Sequence, residues 1–325
     1  MRRHHFICLF LVVIAISGCS EEKQDLTRID TPLAVVSHAK EPKLMYLDLE
    51  QGKVVNEVNT DIVVSYMIRK NQHQYLAINQ LSDHIYIFDS RDQSFQPFVT
   101  INQGLNKIVI SEVGNNLFIA DKKNNVVHVV DSNNGIRIQS IPIAEYPSDM
   151  ILDENNNRLI VLSVIDPTIS IIDLNTLTVV NDFPVNEYPA GLFYDADEEF
   201  VWTGGHGTLE KRNNFIYAYN IQEGQLMKEV SIGFMPMYIT GNPTGKYFYV
   251  LSHGDRMLTK FNKVERKTEA KVEVGQNPNY VSIFSGQIFV TSLDDNVITV
   301  IDEQKMNIIE NIKVGQGPYS IVFQE

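Results

Sequence analysis

One phrase recurs along the chain. An apolar, strand-like run ends in Asp or Asn, a short polar turn follows, and a second apolar run begins. Ile169-Ser170-Ile171-Ile172-Asp173 and Val297-Ile298-Thr299-Val300-Ile301-Asp302 show it plainly. The closing residues are Asp48, Asp89, Asp131, Asp173, Asn220, Asn262 and Asp302, at successive spacings of 41, 42, 42, 47, 42 and 40. Seven phrases at one period are the signature of a repeat array. A second mark keeps the same register. Sixteen residues after the closing residue stands Pro147, Pro189, Pro236, Pro278 or Pro318, with Val64 and Leu105 in the first two repeats. Glycine or a small turn residue often precedes the proline by three. Proline suits the first position of a strand, where its missing N–H costs little.

Each period predicts four short strands. After Pro147 these are 148–153, 158–163, 168–173 and 177–185, with Asn155-Asn156-Asn157 as a turn. Aliphatic and aromatic residues fill the runs; Asn, Asp and Gly fill the turns. Four antiparallel strands in about 42 residues make a propeller blade, and no long segment after the first twenty residues has helical periodicity. The expected fold is therefore all-β, a seven-bladed β-propeller. Near Pro32 the chain enters with strands two, three and four of a blade (33–37, 44–48 and 54–58), and it ends in a lone first strand, 319–323. Joining the C-terminal strand to the N-terminal blade completes the ring.

The first residues have a different character. Arg2 and Arg3 precede an apolar run from Phe6 to Ile16. That run is shorter than the ~20 residues a spanning helix needs and reads as a secretory signal peptide. Its end, Ile16-Ser17-Gly18-Cys19, resembles the bacterial lipobox. The resemblance implies diacylglyceryl transfer to the Cys19 thiol and cleavage before it. The expected organisation is then a signal peptide (1–18), a polar tether (19–31) and the propeller (32–325). A chain starting at Cys19 would have no disulfide, because Cys8 is the only other cysteine. More than one acyl chain is needed for stable anchoring, so the expected location is extracytoplasmic, lipid-anchored to a bacterial cell membrane, with the bilayer as a partner through acylated Cys19.

Charge narrows the other partners. The 325 residues carry 27 basic and 40 acidic side chains, a net −13. There is no basic stripe, and phosphate affinity comes from Lys and Arg, so no nucleic-acid partner is expected. Hydrophobic content of 44% and charged content of 21% are those of a globular protein.

The repeats resemble the YVTN family of bacterial β-propeller proteins. The likeness is carried by Ile288-Phe289-Val290-Thr291-Ser292, Val297 to Asp302, and Val314-Gly315-Gln316-Gly317-Pro318-Tyr319-Ser320-Ile321. It extends over about residues 32–325 and is weakest in the first two repeats. A single tryptophan, Trp202, with no Trp-Asp pair argues against a WD40 array. The resemblance implies a seven-bladed fold. It says little of function, because related propellers include surface proteins, lactone hydrolases, haem-binding domains and quinoprotein subunits.

Binding in propellers is expected on the face that carries the blade-to-blade connections and the links between strands two and three. Tyr146, Tyr188, Tyr238, Tyr280 and Tyr319 lie beside the proline mark, with Glu145 and Glu187 in matching places of adjacent blades. They are candidate ligand-binding residues for a cation, sugar or peptide; the alternative is a solvated rim whose tyrosines fill the wedges between blades. His38, His206 and His253 fall at strand-two exits and are expected to share one face. They are candidate metal ligands, and His206 and His253, with Glu187, are candidate catalytic groups. His206 sits in the one long insertion, Gly204 to Arg212. No phosphate loop, nucleophile elbow, haem-attachment motif or EF-hand is present, and no cofactor is expected. The first functional expectation is a non-catalytic lipoprotein presenting a face to a protein or envelope polymer. The alternative is a lactonase- or lyase-like hydrolytic enzyme with its site on that face. A third is an accessory domain for a haem or quinone enzyme.

Overall fold

The seven residues that set the period act alike. In the computed structural model, which describes residues 31–324, each closes the third strand of a four-stranded sheet. Its side-chain oxygen then accepts backbone N–H groups two or three residues on. Gln222 and Glu223 both donate to Asn220 Oδ1 at 2.9 Å, and Gln304 and Lys305 donate to Asp302 Oδ1 at 3.0 and 2.7 Å. Asp48, Asp89, Asp131, Asp173 and Asn262 make the same turn. A short carboxylate or amide can replace a backbone acceptor in a tight turn, which is why only Asp and Asn occupy this place. The expected signal peptide, Cys19 and the expected tether as far as residue 30 lie outside the described residues.

Seven antiparallel sheets of four strands form the ring. Blade 1 takes Pro318–Gln324 as its inner strand and continues with Leu33–His38, Lys43–Asp48 and Lys53–Asn59. The two ends pair with Leu33 opposite Gln324 and Val36 opposite Ile321, so the expected closure is present. Blades 2 to 7 span residues 66–100, 105–142, 147–184, 192–231, 236–273 and 278–313. Blade 4 has strands Pro147–Asp153, Arg158–Ser163, Thr168–Asp173 and Thr178–Pro184. The expected boundaries differ from these by at most one residue. Short 3-10 turns at 113–115 and 154–156 are the only helical pieces among the described residues.

The core is divided into seven clusters, each between two adjacent blades. This explains the apolar pattern. A second strand is packed by blades on both sides, and Leu33–His38 is buried at every position. A fourth strand lies on the rim, and in Lys267–Glu273 only Val272 is fully buried. Trp202 belongs to this packing: its ring lies 5.2 Å from Phe248 between blades 5 and 6.

The proline mark has a structural cause on both sides. Three residues before it, a Cβ on Gly275 would come within 2.6 Å of Ser292 Oγ, and one on Gly315 within 2.0 Å of Glu41 Oε1. The acid folded over this glycine holds the connection by accepting the next N–H, from Gln276 to Asp295 at 2.7 Å and from Gln316 to Glu41 at 2.6 Å. The residue just before the mark is left-handed at Tyr146 (φ 65), Tyr188 (φ 47), Met235 (φ 58), Asn277 (φ 53) and Gly317 (φ 65). Its carbonyl accepts the N–H that follows strand two of the same blade. Examples are Val164 to Tyr146 at 3.1 Å, His253 to Met235 at 2.8 Å and Leu293 to Asn277 at 3.0 Å. These bonds draw the blade connections and the strand-two exits onto one face, around the axis.

Candidate functional site

On that face the axis opens into a funnel of about 590 Å³. Tyr146, Tyr188, Tyr238, Tyr280 and Tyr319 all line it, and so do His206 and His253. The residue after strand two contributes in blades 4, 6 and 7 (Val164, His253 and Leu293), as expected of connections that converge.

The floor is built from a register position that the sequence reading passed over. Two residues after the mark stand Tyr66 (from Val64), Lys107 (from Leu105), Asp149 (from Pro147), Tyr238 and Tyr280. All five line the funnel. Lys107 Nζ pairs with Asp149 Oδ1 at 2.9 Å and lies 5.0 Å from the centre of the Tyr66 ring. Lys107, Asp149 and Tyr238 also line a cavity of about 210 Å³ below, so they separate the two spaces. Burial pushes the Lys107 ammonium down, but Asp149 and the phenolic oxygens of Tyr66, Tyr238 and Tyr280 bring it well above its ordinary value, and it stays charged. Burial also raises the Tyr238, Tyr280 and Tyr319 hydroxyls, which remain protonated donors at neutral pH. Counting two residues on from the mark in every repeat is the signal that finds Tyr66, Lys107 and Asp149.

The long insertion positions His206. It folds back through an isolated bridge between Gly207 and Arg212, and Gly205 N–H donates to Pro236 O of the next blade at 2.6 Å. The His206 ring is thereby held 6.1 Å from the His253 ring. Burial, then His253 and Arg212, lower the His206 pKa, which keeps that imidazole neutral at pH 7. His253 Nε2 lies 2.5 Å from Asn277 Oδ1.

Other candidates fall elsewhere. His38 is fully buried in blade 1 with Nδ1 3.1 Å from Lys43 O, and it does not line the funnel with His206 and His253. Among the described residues no group of three or more His, Cys, Asp or Glu side chains is arranged to hold a metal ion. Glu145 and Glu187 are exposed and are not funnel-lining residues; Asp149 is the acid that faces the axis. A further histidine, His128, is buried between Asp121 Oδ2 (3.2 Å) and Ser140 Oγ (2.8 Å) in the body of blade 3.

No protein-family model and no curated protein sequence matches this chain. Solved structures do. Kuenenia stuttgartiensis hydrazine synthase is similar at 15% identity and a TM-score of 0.72, over 82% of this chain and 90% of that one. The dihydro-heme d1 dehydrogenase NirN is similar at 10% identity and a TM-score of 0.65, over 90% of this chain and 76% of that one. AztD from Citrobacter koseri is similar at 12% identity and a TM-score of 0.60, over 90% and 98%. At these identities the likeness is one of fold: the chain is a seven-bladed β-propeller whose blades are shared with proteins of differing activity.

Proposed function

We propose that the chain is a membrane-anchored extracytoplasmic propeller of YVTN type that binds a protein or envelope ligand in its axial funnel. The observation that carries this reading is convergence. Five tyrosines placed by the repeat register, and two histidines from neighbouring blades, meet in one cavity of ligand-site size. Tyrosine offers an apolar ring and a hydroxyl together, which suits contact surfaces.

The anchor fits this arrangement. Pro32 O accepts the N–H of Leu49, and Thr31 Oγ1 donates to Asp48 Oδ2 at 2.8 Å, so the chain enters the ring beside a third-to-fourth-strand turn. That is the face opposite the funnel. A tether of residues 19–31 spans about 45 Å at most when extended. An acylated Cys19 would therefore moor the turn face towards the bilayer and leave the funnel open to the exterior.

Two measurements test this. Mass spectrometry of the membrane-extracted protein should find diacylglyceryl on Cys19; an intact, unmodified leader overturns the anchor. A photocrosslinking side chain at Tyr188, half-exposed at the funnel rim, should capture material on intact cells where one at Asn175 on the turn face does not. Capture at position 175 alone overturns the funnel reading.

A hydrolytic alternative has one observation in its favour, the neutral His206 imidazole beside His253, which suits a general base. Its proposed acid, Glu187, does not line the funnel. Lactone turnover abolished by His206→Ala would support it; a panel of lactones left intact by the native protein would exclude it.

A further inference from the structure

We infer that the funnel takes a neutral, polyhydroxylated ligand of the saccharide class; this rests on the binding reading above and specifies its chemistry.

The first argument is charge. The chain is acidic, yet among the described residues the charged side chains lining the funnel are Lys107 and Asp149, which neutralise each other at 2.9 Å; a further ammonium, Lys122 Nζ, stands behind the wall, 5.4 Å from the Tyr146 ring centre and 3.4 Å from Gln80 Oε1. A charged ligand loses hydration on entering such a site and needs a counter-charge there. Lys107 is already committed to Asp149, and separating a buried pair leaves an uncompensated charge. The histidine pair adds no fixed charge at neutral pH on the His206 side. The floor of the funnel thus discriminates against ions of both signs.

The second argument is the mixture of surfaces. Six of the 14 tyrosines line this one cavity. Between them stand Gln80, Asn106 and Asn279, whose amides both donate and accept; Asn279 Oδ1 accepts from Thr291 Oγ1 at 3.1 Å, and its buried Nδ2 has no hydrogen-bond partner. Asn106 already donates to Ser148 O at 2.7 Å, which fixes its amide. A saccharide needs this combination: rings for its C–H faces, and donors and acceptors at the edges for hydroxyls that do both.

The third argument separates saccharides from flat heterocycles, which are also neutral. Tyr238 and Tyr280 have ring centres 5.2 Å apart and planes at 57°, and Tyr66 meets Tyr280 edge-on at 67°. These rings already pack on one another at steep angles and offer no pair of parallel walls for a planar ligand. A puckered, hydroxyl-bearing ring resting on one tyrosine face at a time fits the angles better. The cavity volume of about 590 Å³ falls within the ~300–1,000 Å³ of small-ligand sites.

The test is saturation-transfer NMR on the full mature protein in detergent. The panel holds neutral di- and trisaccharides, including cellobiose and N,N′-diacetylchitobiose, their uronic-acid and amino-sugar counterparts, and adenine and riboflavin. Transfer to neutral saccharides is expected, at least tenfold weaker in Tyr238→Ala and in Asn279→Ala, with the thermal transition of each variant recorded to exclude unfolding. Preference for charged or planar members overturns the saccharide assignment and leaves the binding funnel standing. Binding to no member also overturns the assignment, and crosslinking at position 188 then decides separately whether the funnel binds anything.

Discussion

Lys107 and Asp149 occupy the same register position in adjacent blades, two residues past the repeat mark, and their side chains meet at 2.9 Å on the propeller axis. Neither blade can supply the pair alone. Blades 3 and 4 must pack in their correct register for the charges to meet, and both side chains are then largely hidden, 15% and 17% exposed.

Removing one partner should cost more than removing both. Asp149→Ala leaves a buried ammonium and should lower stability by about 3–5 kcal/mol, whereas Lys107→Met with Asp149→Leu should lose far less. Urea unfolding of the three proteins is the check. A double variant that loses as much as Asp149→Ala, or more, would contradict that expectation.

Closure by the last strand predicts a second effect. Deleting residues 319–325 removes most of the partner of Leu33–His38 and exposes an apolar strand edge. The truncated protein should aggregate and lose its cooperative transition, measured by light scattering during a thermal melt. An unchanged melt would mean that the ring does not depend on this seam.

The turn-closing carboxylates predict acid sensitivity. The Arg91 guanidinium beside Asp89 depresses its pKa to about 2, the Thr176 and Lys305 N–H groups lower Asp173 and Asp302, and Asp48 is lowered by its N–H donors despite burial. A folded pKa below the unfolded value gives stability that is full above about pH 4 and lost as pH falls towards the folded value. The urea midpoint should therefore hold from pH 7 to about 4 and fall steadily between 4 and 2. Asp89→Asn keeps an acceptor at the turn and should flatten part of that fall.

Gly275→Ala would push a methyl group to 2.6 Å from Ser292 Oγ. A loss of about 1–3 kcal/mol is expected from overpacking, with partial recovery in the Gly275→Ala, Ser292→Gly double variant. Denaturant titration reads both.

The fold was legible because the period is enforced by local chemistry. An Asx turn needs Asp or Asn, a strand start tolerates proline, and a covered connection needs glycine, so Asp302, Pro318 and Gly315 each announce their place. The tyrosines beside the mark were legible for the same reason. The floor was harder to see. Its position holds Tyr66, Lys107, Asp149, Gly191, Tyr238, Tyr280 and Ser320 in turn; tyrosine recurs in only three of the seven blades, because a position facing the axis needs no one residue type. His38 misled because a strand-two exit in blade 1 matches that of blade 6 in sequence but turns its imidazole onto Lys43 O. His206 reaches the funnel only because the insertion folds inward, and that depends on the bond from Gly205 to Pro236 in the next blade.

The central claim, that the axial funnel is where this propeller meets its ligand, is tested most directly by methyl NMR of the full protein labelled at methionine. Met237 lines the funnel, while Met227 is exposed on the outer strand of blade 5. Titration with the saccharide fraction of the cell envelope should shift the Met237 resonance, and leave that of Met227 in place. A moving Met227 with a silent Met237 would contradict the account.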